Sequence, residues 1–215
     1  MTTTEIDGRR QRGSRARAGI LEAAVDLATT AGLDGLSLSQ LAKRLNVSKS
    51  GLFAHWSSKQ ELQLDAIAFA RDQWVDHVIR PALSQPKGIR RLWALHEARL
   101  DFYASGTLTG GCFFAHTEFE HSTREGPVKE QLAEANAAWY GLVERLVRES
   151  IEAGELSDEV PVAQLAYEID AFGVSCVLYT RLMNHDSAQI YSQARSAVLQ
   201  RLQAASPAPQ LLPQK

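Results

Sequence analysis

The stretch SLSQLAKRLNVSKSGLFAHW, Ser37 to Trp56, decides the fold. It reads as two short helices with almost nothing between them. Ser37 and Gln40 form a capping box that opens the first. Leu38, Leu41, Ala42 and Leu45 then share one face, and Asn46 suits the left-handed residue that ends such a helix. Ser48 is placed to cap the second, which the pattern carries from Lys49 to about Trp56. Helices shorter than about a dozen residues do not persist alone in water. This pair must therefore dock on a longer neighbour, through Leu38, Leu41, Leu45, Val47, Leu52 and Trp56. Lys49, Ser50, Gly51 and His55 are left with no core to join. Three helices with a tight turn between the last two form the helix-turn-helix layout, whose final helix offers its outer face to the DNA major groove.

The long neighbour lies upstream. Ile20, Ala24, Leu27 and Ala31 make a helical stripe that predicts a first helix over Ser14 to Thr30, ended at Gly32. Downstream, Ser58 and Glu61 form a second capping box, and the helix they open should stop at Pro81. Further helices are expected over Gly88–Ala104, Cys112–His121, Pro127–Ala153, Pro161–Met183 and Ser187–Ala204. Strand-like alternation persists nowhere, so the fold class is all-α. The expected organisation is a basic, disordered arm (1–13), a helix-turn-helix DNA-binding domain (14–57), a larger helical domain for effector binding and dimerisation (58–205), and a disordered Pro-rich tail (206–215).

The chain has 215 residues, 45% hydrophobic and 22% charged, which fits a globular protein with a substantial core. The net charge of −2 hides an asymmetry. Residues 1–59 carry nine Lys/Arg against five Asp/Glu, while residues 60–215 carry 14 against 20. A basic head that includes Arg9, Arg10, Arg12, Arg15 and Arg17 fits a polyanionic partner; a solvated basic tail is the plainer alternative. There is no signal-peptide pattern and no membrane-length apolar run, so a cytoplasmic protein with no membrane partner is expected. Cys112 and Cys176 match no metal or redox spacing and are read as reduced thiols, with a redox-sensing role left open.

The stretch from about Arg15 to Ala66 resembles the DNA-binding domain of the TetR family of bacterial transcriptional regulators. The resemblance rests on Ser37, Leu41, Ala42, Val47, Ser48, Leu52, Phe53, His55, Trp56, Ser58, Lys59 and Leu62 in register. It implies a ligand-responsive regulator, most often a repressor, that binds a palindromic double-stranded operator as a homodimer. By that resemblance Ser37, Ser39 and Ser48 lie near phosphates, with Arg15 in the same DNA-binding set. Lys49, Ser50 and Gly51 approach base edges, and His55 and Lys59 hold the backbone. Phe53 stands where the family usually has Tyr, and Gly51 where it often has Thr or Ser.

The resemblance also implies an apolar effector cavity among the later helices. Trp93, Phe102, Phe113, Phe114, Trp139 and Phe172 are the expected lining, for a hydrophobic or aromatic effector. The small stripe Ala166, Gly173, Val177 and Thr180 is the expected dimer interface, with internal packing as the alternative. No cofactor is expected. His116, Glu118 and His121, in HTEFEH, tempt a metal reading. Glu118-x-x-His121 has no second copy, and His116 and His121 face different sides of a helix, so no metal site is expected there. Two other function classes compete with the regulator. One is a helical metal-dependent enzyme. The other is an adaptor that uses its Arg-rich arm on anionic lipid. The absence of a nucleophile elbow, a P-loop or a dinucleotide fingerprint argues against an enzyme.

Overall fold

A computed structural model of the chain describes residues 3–53, 55–182 and 186–214, with the side chains of 3–12, 49 and 53 left out. The described residues form ten α-helices: α1 (Thr3–Gly35), α2 (Leu38–Leu45), α3 (Lys49–Phe53), α4 (Lys59–Trp74), α5 (Arg80–Leu83), α6 (Ile89–Ala104), α7 (Phe113–His121), α8 (Pro127–Glu152), α9 (Val162–Leu182) and α10 (Ser187–Ala205). None of them is long and apolar enough to cross a membrane.

The chain divides into two compact units. The first unit runs to Arg71 and takes in Leu108–Leu132; the second holds Asp72–Thr107 and everything from Ala133 onward. The GGCFFAHTEFEH stretch thus packs within the first unit, beside the helix-turn-helix. Gly110 explains how it sits there. A Cβ on Gly110 would stand 2.0 Å from Thr29 Cβ, and Gly110 N donates to Thr29 Oγ1 at 2.7 Å. Only glycine lets this loop lie directly on α1.

In the first unit Ile20, Leu21, Ala24, Val25 and Ala28 of α1 are buried together with Leu36, Leu38, Leu41, Leu52 and Trp56. Val47, expected to join this core, is 44% exposed. The α1 path is helical from Thr3, where composition suggests a disordered arm. It breaks where expected, at Gly32 (φ 74, ψ 165).

In the second unit α6 packs on α5, α9 and α10. Leu92, Leu95, Leu100, Leu165, Ile169, Val198 and Leu202 fill the core. Pro81 does not end a helix. A π-turn over Val75–Ile79 precedes it, with Arg80 N bonded back to Val75 O, and Pro81 falls in the first turn of α5. Its missing N–H costs nothing there. The tail is ordered as well. Ser206 Oγ donates to Glu155 O, a 3-10 turn covers Pro209–Leu211, and Leu212 is buried.

Candidate functional site

Short-range contacts fix both ends of α2 and the start of α3. Ser37 Oγ accepts from Gln40 N at 3.1 Å, and Asn46 takes the left-handed conformation (φ 52, ψ 42). Ser48 Oγ accepts from Gly51 N at 3.1 Å, at the start of α3. Leu52 is then fully buried, while Ser48, Ser50 and Gly51 are exposed on the other side. Arg15, Ser39 and Lys59 are also exposed, and Ser37 and His55 are half-buried. The side chains of Lys49 and Phe53 lie outside the described residues. Lys59 Nζ donates to Asp34 O at 2.5 Å, so this amine also ties the end of α1 to the start of α4.

Trp56, expected to dock this helix pair, holds α3 in place together with Asp65 and Arg17. Trp56 is 1% exposed, and its indole N–H donates to Asp65 Oδ2 at 2.6 Å. Arg17 pairs with the same carboxylate, and its guanidinium lies 5.3 Å from the Trp56 ring centre. α1, α4 and the chain just after α3 thus meet at one carboxylate. Asp26 does the same for α2: it pairs with Arg44 and accepts from Thr109 N at 2.6 Å. Burial pushes the Asp26 carboxyl up, but its bonds to Thr109 and Arg44 outweigh this and hold it below the ordinary value.

The second unit gathers a different chemistry. The Trp74 ring lies 5.9 Å from Phe102, 5.9 Å from Tyr103 and 5.2 Å from Trp139, and His77 stacks on Phe102 at 5.3 Å. At the edge of this cluster Arg99, 1% exposed, pairs with Asp170 through Nη1–Oδ1 at 2.9 Å. Trp139 Nε1 donates to the same Oδ1 at 2.8 Å, and Arg99 lies 5.5 Å from the Trp139 ring centre. His96 completes the network. Burial, reinforced by the Arg99 charge, pushes its pKa down to about 3, so the ring is neutral at pH 7. Its Nε2–H donates to Ala194 O at 3.2 Å, and Nδ1 accepts from Arg99 Nη2 at 3.2 Å.

The expected effector residues are therefore divided. Phe102 and Trp139 join the aromatic cluster, and Trp93 meets His96 at 6.0 Å. Phe172 is 39% exposed, whereas Phe113 and Phe114 meet edge to face in the first unit. Trp74, His77, His96, Arg99 and Asp170 were not in the expected set. The signal that points to Arg99 and His96 is their place on the apolar face of α6.

The expected dimer stripe turns inward. Ala166, Gly173 and Val177 are buried, and a Cβ on Gly173 would meet Arg99 Cζ at 1.8 Å. Thr180 is half-buried, with its hydroxyl on Cys176 O. Gly173 makes room for Arg99. The opposite face of α9 exposes Tyr167, Val174, Leu178 and Leu182. Both cysteines are buried, and burial pushes the Cys176 thiol up.

Residues 20–66 match the family model described as bacterial regulatory proteins of the tetR family, and residues 88–198 match the tetracyclin repressor-like C-terminal domain. The chain belongs to the TetR family of bacterial transcriptional regulators. TetR-family proteins are DNA-binding regulators and not enzymes, which sets aside the metal-dependent enzyme reading.

Solved TetR-family structures share the fold. A regulator from Chloroflexus aurantiacus is 21% identical, with 88% of this chain and 97% of that one covered and a TM-score of 0.77. One from Streptomyces coelicolor is 18% identical over 95% of both chains, with a TM-score of 0.75. AibR, solved in complex with isovaleryl coenzyme A and operator DNA, is 19% identical, with 84% and 96% covered and a TM-score of 0.69. No curated protein matches the sequence.

Proposed function

We propose that this TetR-family chain is a repressor that binds a palindromic operator as a homodimer and is released by a hydrophobic or aromatic effector. The observation that carries the DNA-binding part is the outward face of α3. Ser48, Ser50 and Gly51 are exposed there, on a helix anchored from behind by Leu52 and Trp56. Arg15, Ser37, Ser39, Lys49, Phe53, His55 and Lys59 complete the proposed contact set. One helix this short reads few base pairs, so a second copy is needed for specificity.

The exposed apolar face of α9 supports the dimer. Tyr167 is 60%, Leu178 56% and Leu182 74% exposed, an unusual concentration of bare apolar surface on one helix. The proposed interface is therefore this outer face, with the small stripe packed behind it. The cluster of Trp74, Phe102, Tyr103 and Trp139 supports an aromatic or hydrophobic effector, oriented by the polar edge at Arg99 and Asp170. AibR, which shares the fold, was solved with both an acyl-coenzyme A and operator DNA. Release requires the effector to bind the non-DNA-binding geometry more tightly, because equal affinity for both shifts nothing.

Sedimentation equilibrium with and without the DNA just upstream of the protein's own gene tests this reading. Two chains per duplex are expected. Leu178→Glu should give monomers that bind this DNA far more weakly. A monomeric wild-type chain, or a Leu178→Glu variant that still dimerises through α9, would contradict it.

A further inference from the structure

We infer that Asp34, Glu120 and His121 form a binding site for a divalent first-row metal ion of the Zn²⁺ class, at the foot of α1 in the first unit. One ligand atom from each lies within 4.8 Å of the others. His121 is 6% exposed, and its Nε2 has no hydrogen-bond partner among the described residues. A buried imidazole nitrogen with nothing to bond is costly, and such a group calls for an explanation. Nε2 stands 3.8 Å from Glu120 Oε2, a spacing that two ligands of one ion can share at about 2.0–2.2 Å each.

The carboxylate beside it is already fixed. Glu120 Oε2 accepts from Leu33 N at 2.7 Å and Oε1 from Asp34 N at 3.1 Å. These two amides are freed by the break at Gly32, whose missing side chain makes room: a Cβ there would meet Glu120 Oε1 at 2.6 Å. Each carboxylate oxygen keeps a lone pair for an ion. Asp34 is exposed and supplies both the third ligand and the way in from solvent. One imidazole and two carboxylates suit Zn²⁺ and its neighbours, with remaining positions left to water.

Two cations already meet this place. Arg124 pairs with Asp34, and Lys59 bonds to the Asp34 carbonyl. Arg124 holds the Asp34 carboxylate where an ion would, so the two compete. Spacing alone could not reveal this site, because Asp34 lies 86 residues from Glu120 in sequence. Asp34 also precedes the Ser37 cap of α2 by one turn. A bound ion therefore clamps α7 to the entry of the helix-turn-helix.

The test uses the full-length chain, stripped with chelator and titrated with Zn²⁺ by calorimetry and with Co²⁺ by visible absorption. One ion per chain is expected, with Zn²⁺ displacing Co²⁺ and raising the thermal midpoint. Asp34→Asn and His121→Gln should each weaken binding about tenfold or more. Arg124→Ala should tighten it by removing the competing cation. Asp34 is exposed, so its variant stays informative if His121→Gln fails to fold. Absence of binding, or unchanged affinity in Asp34→Asn, would overturn the site. Weaker binding in Arg124→Ala would overturn the competition.

Discussion

Arg99 and Asp170 form an ion pair across α6 and α9, with the guanidinium fully enclosed and the carboxylate shared with the Trp139 indole. Burying such a charge is costly, and removing one partner leaves the other uncompensated. Asp170→Ala should lose about 3 kcal/mol of stability, the low end for a buried pair because Asp170 keeps some solvent contact. Denaturant unfolding measures it. A loss below about 1 kcal/mol, the worth of a surface pair, would mean that Arg99 is satisfied without Asp170.

Gly173 is the counterpart of that pair on α9. An alanine there ordinarily gains helix propensity, about 1 kcal/mol. Here its Cβ would stand 1.8 Å from Arg99 Cζ, and Arg99 is too constrained by Asp170, Ile169 O and His96 to move aside. Gly173→Ala should therefore destabilise by about 2 kcal/mol, read as a lower denaturant midpoint. A stabilised variant would contradict the placement.

His96 gives the second unit a pH dependence. The unfolded chain takes up a proton near the ordinary value of 6.5, whereas the folded chain resists it down to about 3. The unfolded state thus binds more protons as pH falls from 6.5 towards 3, and stability falls with it by up to about 1.4 kcal/mol per pH unit. Stability measured at pH 7, 6, 5 and 4 should show this slope in the wild type and a shallower one in His96→Gln. Identical slopes would show that His96 does not carry it.

Gly51 separates stability from DNA contact. A Cβ there would stand 3.2 Å from Ser48 Oγ, a close contact that asks this hydroxyl to yield by a few tenths of an ångström. Gly51→Ala should raise stability by up to about 1 kcal/mol while weakening operator binding, if the α3 backbone approaches the bases closely. Unchanged DNA affinity would remove Gly51 from the contact set.

Short-range chemistry made the helix-turn-helix legible. Ser37, Asn46, Ser48 and Ser58 each act within three or four residues of themselves, and all four behave as their spacing predicts. The break at Gly32 is legible for the same reason. What escaped the sequence depends on distant partners. The α7 stretch joins the first unit through Gly110 on Thr29 and Glu120 on Leu33, contacts 81 and 87 residues apart. The inward turn of the α9 stripe was hidden because that helix is apolar on nearly every side, so periodicity could not say which face meets Arg99. Arg99 itself escaped because a charged residue on a helix defaults to the surface. Pro81 misled because a π-turn shifts the hydrogen-bond register just before it.

The outer face of α3 is proposed to read a specific operator. The most direct measurement is fluorescence anisotropy with the DNA upstream of the protein's own gene and with scrambled DNA, over a range of salt. A preference of about 10³-fold or more, with a steep salt slope, is expected. The preference should be largely lost when Lys49 and His55 are both replaced by Ala. Equal, weak binding to both DNAs, or a Lys49→Ala/His55→Ala variant that keeps the wild-type preference, would contradict it.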